Sequence, residues 1–262
     1  MRGSARCTSK RITSTLSTAN ESMSTPGFFT GLPPHRLPHP AVSDRLIIAV
    51  HRAVARAIQV LREEQRIRLA TVLEAALTHE IFALLQDRLL ATSEVDGFDR
   101  RRFGRIQCSP EVWNHDRSRR VVPDLVMIVL KRDRLPVLPS QDGLFVECKP
   151  VDGKHAVGAH YCDRGICRFV DGEYASAMQD GLMVGYVRGG RTIAKDLSPV
   201  LTDPARQARL GFPSAPDRVL TSASQDNAEP LHVTTHRRNF PWPGDQGCAC
   251  AIRLFHSWHE CG

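Results

Sequence analysis

Three charged side chains stand inside stretches that otherwise read as apolar: Asp124, Glu147 and Lys149. Asp124 follows Pro123 and heads the run DLVMIVLKR (Asp124 to Arg132), while Glu147 and Lys149 flank Cys148 in GLFVECKPV (Gly143 to Val151). Both runs are short, apolar and rich in β-branched residues, and a polar, proline-containing connection separates them, which predicts two strands joined as a hairpin. Side chains on a strand alternate between faces, so Glu147 and Lys149 project together with Phe145, and Val146 and Cys148 project the other way. Left unpaired, buried charges of this kind cost on the order of several kcal/mol. They must therefore meet each other, a metal ion or a phosphate. The plain alternative is a strand-ending Asp124 and an ordinary Glu147–Lys149 salt bridge on a half-exposed sheet face.

Pro123-Asp124 followed by Glu147-Cys148-Lys149 resembles the PD-(D/E)xK motif of the restriction-endonuclease-like nuclease superfamily. The resemblance implies that Asp124 opens one strand of a central hairpin and that Asp124 and Glu147 are metal ligands. It implies further that Cys148 contributes only its backbone carbonyl, and that Lys149 orients the attacking water. Hard oxygen ligands suit Mg2+ or Mn2+, and such an ion polarises a phosphoryl oxygen and lowers the pKa of bound water. Members of the superfamily commonly carry an acidic residue on the helix before the hairpin. Glu80 is the candidate here, because it falls three residues after Leu77 and four before Leu84, on an apolar stripe where a carboxylate is out of place. Glu74 is expected to face water, and the alternative for Glu80 is a boundary residue reaching solvent or an arginine. A QxxxY submotif found in some members is not matched, since Tyr174 precedes Gln179.

The elements that must position these residues are legible from periodicity. Ser43-Asp44 can cap a helix whose apolar face carries Leu46, Ile47, Val50, Val54, Ala57, Ile58 and Leu61. A second amphipathic run continues from Leu69 to about Leu90, either as one long helix or after a break near Glu64. Phe103 to Cys108 reads as a leading strand. Beyond the hairpin, VDGKHAVGAHYCD reads as a loop, Asp163 as the cap of a helix whose stripe runs from Ile166 through Tyr174 to Met178, and Leu182 to Val187 as a strand. That order gives the fold class as α/β, and it matches the restriction-endonuclease-like αβββαβ core, a mixed central sheet flanked by helices. One or two helices follow between Arg191 and Leu210. The later strands LHVTTHRR and CACAIRLFHSW are expected to extend the sheet at one edge. The resemblance covers about residues 71–187 and leaves 188–262 as a C-terminal extension.

The chain has 262 residues, 42% of them hydrophobic, enough for one substantial core. Residues 1–40 are basic, rich in Ser, Thr and Pro, and read as a disordered tail ahead of a single domain over 41–262. They hold +4 of the formal +7 charge. No run reaches the roughly 18 apolar residues needed to cross a bilayer, so no membrane partner and a cytoplasmic location are expected. A transit peptide remains open for the basic start. Eight cysteines without a secretion signal suggest thiols, not a disulfide framework. Zinc is an open alternative for His155, His160, Cys162 and Cys167, and for Cys248, Cys250, His256, His259 and Cys261, against thiols and solvated histidines. Arginines at 100–102, 105, 117, 119 and 120, and at 237 and 238, could contact phosphate or line solvated loops.

The reading these features support is a divalent-metal-dependent nuclease acting on DNA before RNA, with host defence or restriction as one setting. The alternative is an inactive nucleic-acid-binding or assembly subunit of the same fold. A homodimer or a partner subunit fits either.

Overall fold

In the computed structural model, which describes residues 37–130, 136, 138–219, 230–242 and 247–262, the first amphipathic run forms helix α1, Asp44–Glu63. Ile47, Val50, Val54, Ala57, Ile58 and Leu61 are all buried along one stripe. The helix ends at Glu64, and Gln65 takes a left-handed φ of 50°, so the sequence forms a helical pair and not one long rod. Helix α2, Glu74–Ala83, starts later than the apolar pattern suggests and continues through a wider π-type segment, Leu84–Leu89, to Thr92.

Among the described residues nine strands follow: β1 (Phe103–Cys108), β2 (Val112–Trp113), β3 (Arg120–Val121), β4 (Leu125–Val129), β5 (Leu144–Val151), β6 (Asp180–Val187), β7 (Asp217–Arg218), β8 (His232–His236) and β9 (Ile252–Glu260). Seven of them make one mixed sheet in the order β1-β4-β5-β6-β9-β8-β7, and β2 and β3 form a separate small hairpin. The β1–β4–β5 part is antiparallel, whereas β5, β6 and β9 are parallel neighbours. β5 and β6 are buried at every position. Coverage on both faces is why they read as continuous apolar runs without alternation. The C-terminal strands do extend the sheet, with β9 lying directly against β6 and β8 outside it.

Helices cover both faces. On one side α1 and α2 pack through His51 on Ser257 and Thr78 on Tyr186. On the other, a helix runs from Val157 to Ile166 and on through Cys167–Val170, with the Tyr161 hydroxyl 3.4 Å from the Met183 carbonyl. This helix corrects two expectations. The stretch after Lys154 is not wholly loop, and Asp163 lies mid-helix, paired with Arg206 at 2.7 Å, and caps nothing. Two glycines obscured it, because each lowers helix propensity while permitting a close approach. A Cβ on Gly158 would lie 2.9 Å from Arg206 Cζ, and one on Gly165 2.6 Å from Met183 Cε. The helix also stops sooner than expected. Gly172, at φ 68°, sits in a left-handed cap where Glu173 N–H bonds the Arg168 carbonyl and Gly172 N–H that of Phe169. Tyr174, Ala177 and Met178 therefore lie beyond it.

The tail assignment needs a smaller correction. Residues 1–36 lie outside the described residues, but Leu37 is buried against Ala177, Phe240 and Trp242, and His39 N–H bonds the Ala177 carbonyl. The folded body thus includes Leu37 to Pro40. Among the described residues no helix is long and apolar enough to cross a membrane.

Candidate active site

Register brings the first two carboxylates together. β4 and β5 pair antiparallel with Leu125 opposite Val146, so one step further puts Asp124 opposite Glu147 and on the same face. Asp124 is fixed there by its own backbone carbonyl, which accepts from Ser109 N–H, and by Oδ2, which accepts from Cys148 N–H at 2.7 Å. Lys149 lies two residues along β5 on the same face, beneath Gly165 of the post-hairpin helix. Its ammonium stands 2.8 Å from Glu147 Oε1, 2.8 Å from Glu74 Oε1 and 3.9 Å from Asp124 Oδ2, and donates to the Cys148 carbonyl at 2.8 Å. Three carboxylates from three elements thus surround one cation.

The remaining oxygen of Glu147 is bonded by the Tyr174 hydroxyl. The Arg168 guanidinium lies 3.6 Å from Glu147 Oε1 and 6.0 Å from the centre of the Tyr174 ring. Glu147 is only 1% exposed, against side-chain exposures of 26% for Asp124 and 32% for Glu74. The site is therefore sealed at Glu147 and open at the other two carboxylates.

Ionisation follows from that arrangement. Burial, reinforced by the charge on Asp124, pushes the Glu147 carboxyl up to about 7. Asp124 is also raised, chiefly by burial and against the pull of Lys149. Lys149 is held protonated more firmly than usual, because burial is outweighed by the charges of Glu147, Asp124 and Glu74. One ammonium shared among three carboxylates cannot neutralise all of them. That is why the pair shifts its members unequally, with Lys149 strongly charged and Glu147 close to taking a proton at neutral pH.

The structure places Asp124, Glu147, Lys149 and the Cys148 carbonyl close together; alternation along the strand predicts the shared face of Glu147 and Lys149, and the motif resemblance implies the other two. It does not bring Glu80 to them: among the described residues no hydrogen bond or ion pair joins Glu80 to this group, and the helix acid that reaches it is Glu74. The geometry of α2 explains the error. At about 100° per residue, Glu74 lies roughly 60° from Leu77 on the side of Ile81 and Leu85, while Glu80 lies roughly 60° away on the other side. Continuing the stripe one turn towards the N-terminus would have found Glu74. Tyr174 and Arg168 were missed because a tertiary turn, held by Gly172 and by Ala175 at φ 55°, carries Tyr174 back to Glu147.

Several members of the other charged clusters have structural roles. Arg102 pairs with Asp99, Arg119 with Glu173, and Arg120 with Glu111 while lying over Trp113. His236 and Arg238 are buried and not solvated strand ends. Arg238 donates to the carbonyls of Cys250, Ala175 and Met178. His256 and His259 are buried as well. Among the described residues six cysteines are free thiols, as expected, whereas Cys248 departs from that expectation and is disulfide-bonded. Among the described residues no three His, Cys, Asp or Glu side chains form a ready coordination shell; between Glu74, Asp124 and Glu147 stands the Lys149 ammonium. Comparison with known protein families, with curated proteins and with solved structures finds no match to this chain.

Proposed function

We propose that the protein is a divalent-metal-dependent phosphodiesterase acting on nucleic acid, DNA before RNA, built on the restriction-endonuclease-like core that its PD and ExK residues resemble. One observation carries the reading: Glu74, Asp124 and Glu147 converge on a single cation, the Lys149 ammonium, at 2.8, 3.9 and 2.8 Å. The succession α2, β1, β4, β5, post-hairpin helix and β6 supports it, as does the opening of the site at Asp124 and Glu74.

The donor set fits Mg2+ or Mn2+. Asp124, Glu147, Glu74 and the Cys148 carbonyl are all hard oxygen donors. Asp124 Oδ1 and Glu74 Oε2 make no hydrogen bond among the described residues, so both have lone pairs to offer. A bound ion would supply Lewis-acid polarisation of a phosphoryl oxygen and a water of lowered pKa. The chain's own residues do the rest. Lys149 presents a fixed N–H donor beside the scissile phosphate, where negative charge grows in the transition state. Tyr174 and Arg168 hold Glu147 in place. With Mg2+ or Mn2+ the purified protein is expected to cleave DNA, and Asp124→Ala to lower the rate by at least about 100-fold. Intact duplex, single-stranded DNA and RNA after incubation with the wild-type protein would end the proposal.

A second reading has its own observation. Both oxygens of Glu147 already have protein partners, Lys149 and Tyr174, as in a subunit that keeps the fold for binding alone. It predicts salt-dependent affinity for nucleic acid without a metal requirement and without cleavage.

A further inference from the structure

The helix that covers Lys149 carries cations at a regular interval. His160, Arg164 and Arg168 are four residues apart, a spacing that places them on one face of a helix. Inward-facing neighbours such as Tyr161, Cys162, Ile166 and Phe169 are buried, whereas His160 and Arg168 are partly exposed and Arg164 is exposed. One end of this stripe meets the site. Arg168 reaches Glu147 at 3.6 Å. At the other end of the stripe the His160 ring makes an edge contact with His155 at 4.9 Å.

Arg164 is the informative member. Among the described residues it makes no hydrogen bond or ion pair, although Arg206 and Arg209 nearby both pair with Asp163. Three carboxylates against Lys149 and Arg168 leave the site itself negatively biased, which repels a phosphodiester. A substrate of that class needs positive charge beside the site, and an unpaired guanidinium on the same helix provides it with the fork geometry suited to phosphate.

We infer that the face His160–Arg164–Arg168 is the track for the phosphodiester backbone, with Arg164 holding a phosphate adjacent to the one that enters the carboxylate site. This rests on the reading of the site as one that acts on nucleic acid, and it adds which surface receives the strand. The substrate backbone then crosses β5 along the post-hairpin helix.

The test measures binding separately from cleavage. Full-length Asp124→Asn protein is titrated with short labelled single-stranded and duplex DNA across about 50 to 200 mM salt without divalent metal. Arg164→Ala in that background is expected to weaken binding about 5- to 20-fold at low salt and to reduce the slope of log affinity against log salt by about 0.7 to 0.9. Arg164→Lys should restore the slope, and Arg45→Ala, an exposed arginine on α1, should change neither quantity. An unaltered thermal midpoint for Arg164→Ala shows that the fold is intact. An unchanged slope, or no DNA binding by the parent protein, overturns the track. If wild-type protein cleaves DNA and the slope is unchanged, the track fails and hydrolysis stands. If the slope falls but no substrate is cleaved, hydrolysis fails and the track stands.

Discussion

β5 and β9 flank the same strand, β6, both run parallel to it, and both carry titratable side chains into the interior. They solve the burial problem in opposite ways. On β9 the groups are imidazoles bonded through hydroxyls. His256 lies between Tyr161 at 3.0 Å and Thr234 at 2.8 Å, Thr234 also meets His236 at 2.7 Å, and His236 ends the chain on the Leu210 carbonyl. On the opposite face Ser257 bridges His51 and His259 at 2.7 and 2.6 Å. Burial pushes His256 and His259 well below the ordinary histidine value and His236 to about 4. They are neutral, and each hydroxyl can both donate and accept, so the network closes on itself. On β5 the groups are charged and cannot close. Three carboxylates share one ammonium, and two of the three remain open to solvent. The difference teaches that a buried polar cluster is structural when its hydrogen bonds are satisfied internally, and a candidate for chemistry when charge is left over at an accessible edge.

The sharpest way to break this contrast is Lys149→Met. Removing the only ammonium among three carboxylates leaves buried charge uncompensated, so a loss of about 3 to 5 kcal/mol is expected at pH 8 in urea denaturation. Cleavage should fall by at least about 100-fold. The stability loss should shrink below pH 7, where Glu147 takes up a proton. A variant as stable as wild type at pH 8 would mean that the charges on β5 are balanced elsewhere.

Next in size is the comparison of two helix acids. Glu74→Gln removes a carboxylate from beside Lys149 and is expected to reduce cleavage about 10- to 100-fold, while Glu80→Gln should remain within about 2-fold of wild type in the same assay. The reverse ranking would return the role to Glu80.

The smallest effect is a difference in slope. The folded Glu147 carboxyl, at about 7 against an ordinary 4.5, contributes stability that is present below about 4.5 and is lost as pH rises through about 7. His236, at about 4 against 6.5, contributes stability that is present above about 6.5 and is lost as pH falls towards about 4. Between about 4.5 and 6.5 the two regions therefore oppose each other. Glu147→Gln should make stability rise more steeply with pH in that window, by up to about 1.4 kcal/mol per pH unit. Chemical denaturation of wild type and variant at closely spaced pH values reads this directly. Equal slopes would mean that Glu147 is ionised throughout.

Local sequence pattern is enough to find the strands β1, β4, β5 and β6, helix α1, and the shared face of Glu147 and Lys149, to which the motif resemblance adds Asp124. All of these but Asp124 follow from local rules: apolar runs of strand length, a helical stripe, and the alternation that puts residues 147 and 149 on one face. Packing in three dimensions is what makes Glu74 and not Glu80 complete the group, lets Tyr174 and Arg168 clamp Glu147, and seals the C-terminal histidines inside. Each of those depends on the angle at which one element meets another or on where a glycine ends a helix. Gly158, Gly165 and Gly172 show the limit most plainly. Glycine within a helix reads as a defect when only neighbours in sequence are counted, yet here two of the three are points of close approach between elements and the third is the turn that delivers Tyr174. Periodicity records which side of an element is buried, but not how far two buried sides slide or rotate before side chains interlock, and it is that final fit which decides which charges meet.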